Sequence, residues 1–311
     1  MRTVFMGTPE FSVPCLEMLS KIPGVELCGV FTQPDRPKGR GKKNAGSPVK
    51  AKALELNIDV FQPISGRDDS FVDVLSAIKP DLIVVVAYGI ILPSEVLGLP
   101  RYGCINVHAS LLPQYRGAAP IQQCIIDRCQ VTGITTMLMD EGLDTGDIII
   151  QKSLTVSPDE TSATLHDKLA VLGAATLEET VNRVQSGTAT YTPQNNQEAT
   201  YTSRLKKESG RINWHKKAEE IEALIRGLQP WPTAFTELDG KMMKIWQGKA
   251  LDQSHDSMPG VILDVNPDYF AVSTAEGILL VKEIQIEGKR RMSVKDYIKG
   301  NVIAVGSKLG A

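Results

Sequence analysis

The sequence predicts an α/β protein: a Rossmann-like, doubly wound and mostly parallel sheet, followed by a small C-terminal β-barrel of the OB-like class. In the first half of the chain, short apolar runs alternate with amphipathic segments. One of these runs, Leu82–Ala87, is apolar on both faces, as a central parallel strand must be. Later, five short strand patterns with Gly, Pro and Asp turns between residues 234 and 286 predict the barrel.

The elements are predicted in chain order from hydrophobic periodicity. Strands are expected at Thr3–Met6, Glu26–Thr32, Leu82–Ala87, Cys104–His108, Thr132–Met139 and Asp147–Leu154. Helices are expected at Val13–Ser20, Pro48–Leu56, Phe71–Ile78 and Thr161–Gln185. The C-terminal part is expected to contain a helix at Lys216–Arg226 and strands at Ala234–Leu238, Met242–Gln247, Gly260–Asp264, Phe270–Thr274 and Ile278–Ile286.

These elements divide the chain into three parts. Residues 1–186 form the expected N-terminal domain, which a basic insertion loop at about residues 34–48 interrupts. Residues 187–206 are expected to be a surface linker, because the stretch up to Thr202 is rich in Thr, Gln, Asn and Gly and lacks apolar periodicity. Residues 207–311 form the expected barrel domain.

The composition excludes several classes of protein. The chain has 311 residues, of which 42% are hydrophobic and 23% charged, so it is expected to be globular and not disordered. No apolar stretch approaches ~18 residues and no signal sequence is apparent, which predicts a cytoplasmic protein without a membrane span. Five cysteines without a C-x-x-C pair predict neither a disulfide framework nor a structural metal site.

Three polar side chains stand out as candidates for catalysis. Asn106 and His108 lie two residues apart in a strand and therefore on one face, where the strand ends. An amide donor beside an imidazole can stabilise the oxyanion that forms when a carbonyl is attacked. A nearby carboxylate, Asp144 in the turn Gly142–Gly146, could orient the imidazole and assist proton transfer. Ser110 carries no sign of an activated nucleophile, so direct transfer is expected.

The segment Ser110–Pro120, with Asn106 and His108 before it and Gly142–Gly146 after it, resembles the folate-dependent formyltransferase family. The likeness continues in Val4–Pro9, Phe31–Pro37, Val86–Gly89 and Gln229–Pro232, and covers nearly the whole chain. It implies that Asn106, His108 and Asp144 are the catalytic residues. It also implies that the donor is 10-formyltetrahydrofolate and that the acceptor is the α-amino group of methionine on charged initiator tRNA, a step of translation initiation.

Two further sets of residues follow from the resemblance and from local chemistry. The folate site is expected at Ser110, Leu111, Leu112 and Pro113, and, by a weaker inference, at Val86, Tyr88 and Gly89. The basic loop is expected to hold tRNA phosphates near the acceptor end through Arg36, Lys38, Arg40, Lys42 and Lys43. The alternative for this loop is a solvated surface feature. A monomer is expected.

Three other functions remain open at this point. A hydrolase that releases formate from formyltetrahydrofolate would share the folate pocket and the three catalytic residues, but it would need neither a basic loop nor a barrel. A sugar-amine formyltransferase would share more of the chain, and the basic loop again argues against it. A non-catalytic RNA-binding module would use the barrel and the loop, but it would leave Asn106, His108 and Asp144 without a purpose.

Overall fold

The computed structural model describes residues 1–38, 43–66 and 69–310. The chain forms two compact units that alternate along the sequence. The N-terminal unit comprises Met1–Gly117, Val131–Leu154 and His166–Thr202. The C-terminal unit comprises Ala118–Gln130, Thr155–Leu165 and Ser203–Ala311. The division at residues 186 and 206 stays a prediction about how the chain is organised.

The strands and helices lie close to the predicted segments. The strands of the N-terminal unit are β1 Arg2–Gly7, β2 Glu26–Phe31, β3 Arg36–Lys38, β4 Lys43–Ala45, β5 Val60–Phe61, β6 Leu82–Val86, β7 Cys104–His108, β8 Arg116–Gly117, β9 Val131–Leu138, β10 Ile148–Thr155 and β11 Tyr201–Thr202. Those of the C-terminal unit are β12 Ala234–Leu238, β13 Lys241–Leu251, β14 Ile262–Asn266, β15 Tyr269–Ser273, β16 Ile278–Ile286 and β17 Met292–Ser293. The α-helices are α1 Val13–Leu19, α2 Pro48–Glu55, α3 Asp69–Ile78, α4 Ser94–Leu97, α5 Pro120–Ile126, α6 Ser162–Gln185, α7 Ala218–Gly227 and α8 Val294–Tyr297. Short 3-10 helices occupy Glu10–Ser12, Asn196–Glu198 and Lys207–Gly210.

The N-terminal unit is built on a seven-stranded sheet in the order β10-β9-β7-β6-β1-β2-β5. The strands β5, β2, β1, β6 and β7 are parallel, and β9 runs antiparallel to β7. All five residues of β6 are buried, which explains why this strand is apolar on both faces. This arrangement confirms the predicted α/β fold with a mostly parallel sheet.

The C-terminal unit is an antiparallel sheet in the order β12-β13-β16-β15-β14, with β17 paired to β16. The last residues of the chain connect its two edges. The Leu309 N–H donates to the Gly260 carbonyl beside β14 (2.8 Å), and the Gly310 N–H donates to the Glu237 carbonyl in β12 (2.9 Å). The Gly306 N–H also donates to the Ile262 carbonyl in β14 (2.8 Å), so the C-terminal residues bond to both edge strands and the sheet is barrel-like, as the sequence predicts.

The segment before the C-terminal unit makes backbone hydrogen bonds to the rest of the N-terminal unit. Thr192 and Ile148 exchange two backbone hydrogen bonds, of 2.8 and 2.9 Å, and β11 pairs with β8 in parallel. The segment is therefore hydrogen-bonded to the rest of the N-terminal unit at Thr192 and at Tyr201–Thr202, although most of its side chains are exposed. Apolar periodicity did not indicate this, because the segment is held through backbone groups and amide side chains.

Candidate active site

The end of β7 places Asn106 and His108 on one face of the N-terminal sheet. Register with β6 sets Asn106 opposite Val85, and register with β9 sets His108 opposite Thr135. His108 is buried, at 6% exposure, whereas Asn106 is partly buried. Since β7 lies between two other strands, the backbone that carries both side chains is fixed on both sides.

The hydrogen bond of His108 to the backbone determines its tautomer. Its Nε2 lies 2.9 Å from the carbonyl oxygen of Tyr115. A carbonyl can only accept, so Nε2 carries a proton, and Nδ1 is the ring atom that faces the site. That atom lies 3.7 Å from Oδ2 of Asp144. This separation is longer than a hydrogen bond, as is common at catalytic pairs before substrate binds.

The Asp144 carboxylate is the centre of the cluster. Asn106 Nδ2 donates to Oδ1 over 3.4 Å, and the Gly117 N–H donates to Oδ2 over 2.8 Å. The residue has a left-handed backbone, with φ of 53°, which non-glycine residues rarely adopt. The loop returns tightly, because a Cβ on Gly146 would lie 1.7 Å from the Leu138 carbonyl oxygen. The structure thus brings together all three predicted catalytic side chains.

The turn after β7 is held by its own polar groups. The Ser110 hydroxyl donates to the Gln114 carbonyl (2.6 Å), and the Ser110 carbonyl accepts from the Thr135 hydroxyl (2.7 Å). Gln151 donates to the Leu112 carbonyl over 2.7 Å. Ser110 is fully buried, so its hydroxyl serves the turn and is not presented as a nucleophile.

The predicted folate-site residues differ in their accessibility. Val86, Tyr88, Ser110 and Leu112 are buried, Leu111 and Pro113 are partly buried, and Gly89 is exposed. Thr8 and Gln33 both donate to the Tyr88 carbonyl, at 3.0 and 3.1 Å, and burial raises the pKa of the Tyr88 phenol. Gly89, Leu111 and Pro113 are therefore the accessible members of this set, and the buried members offer little surface to a ligand.

Two exposed apolar side chains next to these loops were not among the predicted site residues. Ile91 is 91% exposed and follows Gly89, and Leu143 is 60% exposed and precedes Asp144. Isolated exposed apolar residues are common on protein surfaces, so the sequence gives no reason to select these two. Only their position beside the predicted site distinguishes them.

The basic loop is a two-stranded antiparallel ribbon of β3 and β4, in which Lys38 pairs with Lys43. Arg36 is exposed at its start. Arg40 and Lys42, which the sequence predicts to bind tRNA, lie outside the described residues. The base of the ribbon is held by Asp35, whose carboxylate oxygens lie 2.9 and 2.8 Å from Nζ of Lys50.

The site also contains residues that sequence reasoning missed. Arg116 is 1% exposed and contacts Gln194, whose side-chain amide reaches the Asp144 loop. Arg116 lies inside the conspicuous segment Ser110–Pro120, so its position was a signal, but nothing in the sequence pairs it with residue 194. In the described part of the chain, no group of three or more His, Cys, Asp or Glu side chains could hold a metal ion, and no helix is long and apolar enough to cross a membrane.

A parallel α/β unit with an Asn–His–Asp cluster beyond a strand end, joined to an antiparallel barrel-like unit, is the architecture of a formyl-transferring enzyme. Residues 1–181 match the formyl transferase family, and residues 204–302 match the formyl transferase C-terminal domain. The chain belongs to the formyl transferase family, which confirms the resemblance drawn from the sequence motifs.

Named relatives indicate which members of the formyl transferase family this chain resembles. The methionyl-tRNA formyltransferase of Alkaliphilus oremlandii is 52% identical over 310 residues, and the match covers 100% of both chains. The methionyl-tRNA formyltransferase of Clostridioides difficile is 49% identical over 310 residues, again with 100% coverage of both chains. This chain is therefore similar to methionyl-tRNA formyltransferases along its entire length.

Solved structures show the same fold at lower identity. An N-formyltransferase from Helicobacter canadensis, in complex with folinic acid and dTDP-3-aminofucose, has a TM-score of 0.68 and 20% identity, covering 90% of this chain and 98% of that one. HypX from Aquifex aeolicus, in complex with tetrahydrofolic acid, has a TM-score of 0.63 and 15% identity, covering 99% of this chain and 50% of that one. At these identities the likeness concerns the fold.

Proposed function

We propose that this protein transfers the formyl group of 10-formyltetrahydrofolate directly to the α-amino group of methionine on charged initiator tRNA. The observation that carries the proposal is the convergence of Asn106, His108 and Asp144 at the end of β7. It occurs in a chain about half identical, over its whole length, to methionyl-tRNA formyltransferases.

Asn106 and His108 stabilise the oxyanion in this proposal, and because Nε2 of His108 is held by the Tyr115 carbonyl, His108 donates through a proton on Nδ1. The neutral amine attacks the formyl carbon, a C–N bond forms, and the carbonyl electrons move to oxygen. The 3.4 Å bond from Asn106 Nδ2 to Asp144 is at the weak end of the hydrogen-bond range. The amide can therefore turn a donor toward the developing charge at low cost. The tetrahedral intermediate then collapses: the bond between the formyl carbon and N10 of the folate breaks, N10 takes up the proton that the amine has lost, and tetrahydrofolate is released.

Asp144 orients His108 and helps to remove the proton that the amine loses. Its Oδ2 faces Nδ1 of His108 at 3.7 Å, which leaves room for the two groups to approach when substrate closes the site. The Tyr115 carbonyl keeps Nε2 protonated and the ring in place. The cluster thus combines a donor, an imidazole and a carboxylate, which suit a direct transfer without a covalent enzyme intermediate.

The folate donor fits the loops around the strand ends. Its flat ring needs apolar contact and polar backbone groups at its edges. Leu111 and Pro113 are partly buried and would provide the apolar contact. Gly89, with φ of 77°, is exposed and would provide backbone groups. Exposed Ile91 and Leu143 add apolar surface. Val86, Tyr88, Ser110 and Leu112 would support this wall from behind.

The basic loop, residues 34–48, is the part of the proposal that selects a tRNA acceptor. Arg36, Lys38, Arg40, Lys42 and Lys43 would neutralise phosphates near the acceptor end. A formate-releasing hydrolase needs no charge for an acceptor, and a sugar-nucleotide acceptor presents only two phosphates, whereas tRNA presents many. The loop therefore favours the tRNA substrate over both alternatives.

A formylation assay tests the proposal directly. The protein is incubated with 10-formyltetrahydrofolate and methionine-charged initiator tRNA, and the ester-linked amino acid is analysed for formylmethionine. Methionine-charged elongator tRNA and an amino sugar nucleotide are the control acceptors. Formate release without formylmethionine would assign the hydrolase, and formylation of the sugar amine alone would assign the sugar class. Binding of tRNA with no reaction would assign the RNA-binding module.

The proposal also includes the location and the oligomeric state of the protein. We place it in the cytoplasm, where initiator tRNA is charged, and we propose that the chain works as a monomer. Light scattering on the purified protein, with and without tRNA, measures the mass in solution and checks the second statement.

A further inference from the structure

Arg116 is a buried charge whose partners are neutral. Its guanidinium donates to the Gln194 side-chain oxygen from Nε (3.1 Å) and from Nη2 (2.8 Å). Nη2 also donates to Asn196 Oδ1 (2.8 Å), and Nη1 donates to the Tyr201 hydroxyl (3.3 Å). Four hydrogen bonds hold the guanidinium in one orientation, so this side chain is a fixed donor and not a mobile surface cation.

The fixed guanidinium determines which way the Gln194 amide points. A guanidinium has no acceptor, so the Gln194 oxygen must face it and the amide nitrogen must face away. That nitrogen donates to the Asp144 carbonyl (2.9 Å) and to the Gly146 carbonyl (2.7 Å). Both donors and the acceptor of the amide are thus engaged, and the amide joins Arg116 to the loop that carries Asp144.

The Asp144 loop needs such support from outside. Asp144 holds a left-handed backbone that an aspartate seldom adopts without partners. Gln194 binds the carbonyl of Asp144 itself, and the Gly117 N–H, next to Arg116, binds its carboxylate at 2.8 Å. Two neighbouring residues, Arg116 and Gly117, therefore fix the backbone and the side chain of Asp144, the first of them through Gln194.

We propose that Gln194 is a positioning residue for the Asp144 carboxylate, and that Arg116 acts through it by fixing the orientation of its amide. The inference rests on the proposed function, because it assigns a role within that reaction. Neither residue contacts the reacting atoms. Their effect is to keep Oδ2 of Asp144 directed at Nδ1 of His108 at the 3.7 Å separation the structure shows.

Gln194→Glu tests the donor end of the Gln194 amide separately from its acceptor end. The new carboxylate keeps both bonds from Arg116 and gains an ion pair, but it has no N–H for the Asp144 and Gly146 carbonyls. We expect kcat for formylation to fall about 10- to 100-fold, the size of effect that a displaced catalytic group produces. KM for the folate donor should stay within about threefold, because uniform binding is unaffected.

Gln197→Glu is the matched control. It makes the same change of charge and shape three residues further on, at an exposed position of the same segment. Its kcat should equal that of wild type. Thermal unfolding of both variants, followed by circular dichroism, reports whether the fold is retained.

A double-mutant cycle with Asp144→Asn distinguishes positioning from a general structural role. If Gln194 acts by placing the Asp144 carboxylate, Gln194→Glu should lower kcat no further once that carboxylate has become an amide. Independent losses that multiply in the double variant would overturn the proposal, as would near-normal kcat in Gln194→Glu alone.

Arg116→Lys provides a second route to the same test. Lysine keeps the charge but loses the planar fork that orients the amide, so kcat should fall less than in Gln194→Glu, by about 3- to 10-fold. If Gln194→Glu does not fold, the cycle is run with Arg116→Lys, and multiplying losses again overturn the inference. An inactive wild-type protein would instead contradict the proposed function.

Discussion

Asp144 and Asp35, two aspartates of the N-terminal unit, are held in opposite ways. Both oxygens of Asp35 accept from the Lys50 ammonium, and Gln62 donates to Oδ1 over 2.8 Å. Asp144 accepts from an amide and a backbone N–H and faces the imidazole of His108. A carboxylate paired with an ammonium stabilises the fold, and its charge is neutralised by its partner. One that faces an imidazole keeps its charge available for a reaction.

The surroundings of the two residues match this difference. The ammonium of Lys50 and the amide of Gln62 lower the pKa of Asp35, and the same pair ties the base of the basic ribbon to α2 and to the end of β5. Asp144 instead lies where the chain brings a strand end, a tight turn and a loop together. A single residue type therefore serves folding in one place and chemistry in the other.

The largest expected effect is that of Asp144→Asn. The amide cannot accept a proton at its nitrogen and no longer carries charge toward His108, so kcat for formylation should fall roughly 10²- to 10⁴-fold. Folate binding, measured by isothermal titration, should be retained, because the residue orients His108 and does not hold the donor. A variant that lost folate binding but kept turnover at saturating donor would invalidate the assignment.

Asn106→Ala and His108→Ala should each lower kcat roughly 10²- to 10³-fold, the usual effect of removing one oxyanion donor. Circular dichroism should show a retained fold in both variants. Asn106→Asp is a useful companion, because it places a second carboxylate against Asp144 and should be at least as damaging. Turnover close to that of wild type in either alanine variant would remove that residue from the mechanism.

Substitutions in the basic loop, residues 34–48, should weaken the use of tRNA and leave folate binding unchanged. In Arg40→Ala, kcat/KM for charged tRNA should fall, and each lost phosphate contact should reduce the slope of log affinity against log salt by roughly one unit. The assay is formylation at several salt concentrations. The folate KM serves as the internal control. Identical rates and identical salt slopes in the variant and wild type would show that the loop is only a solvated surface feature.

The smallest effect should come from Asp35→Asn, and it should depend on pH. The folded state lowers the pKa of Asp35, so its ion pair stabilises the fold at pH above the unfolded-state value of about 3.9. That stabilisation is lost as pH falls through the lower, folded-state pKa. The variant should unfold at a slightly lower temperature than wild type at pH 7, and the two should converge as pH falls below the folded-state pKa. Thermal unfolding across this range measures the difference, and a gap that persisted in acid would contradict it. The kcat for formylation should stay near that of wild type.

The sequence predicts most of the fold from local pattern. The bounds of β7, β12 and β16 follow from apolar periodicity alone and agree with the structure residue for residue. Helix α5 was not predicted, although its buried residues Ile121, Cys124 and Ile125 follow helical spacing. The short strands β8 and β11 were not predicted either, because two residues are too few to show an alternating pattern.

The sequence likewise predicts part of the candidate site, and the tertiary structure decides the rest. Asn106 and His108 could be placed on one face from their spacing in a strand, a local property of the chain. That Asp144 reaches them depends on a left-handed turn and on a bond from a backbone N–H 27 residues away. Predicted ligand residues such as Leu112 proved to be buried, which only packing decides.

The sequence by itself determined the α/β class, the barrel-like C-terminal unit, the family and the chemical identity of the three central side chains. These properties are encoded in residue order, because periodicity and motif spacing are short-range. The tertiary structure alone decided that a segment expected to be a linker supports the Asp144 loop through Gln194, 78 residues from its partner Arg116. Backbone hydrogen bonds and amide orientation create that contact, and neither leaves a repeating pattern in the sequence.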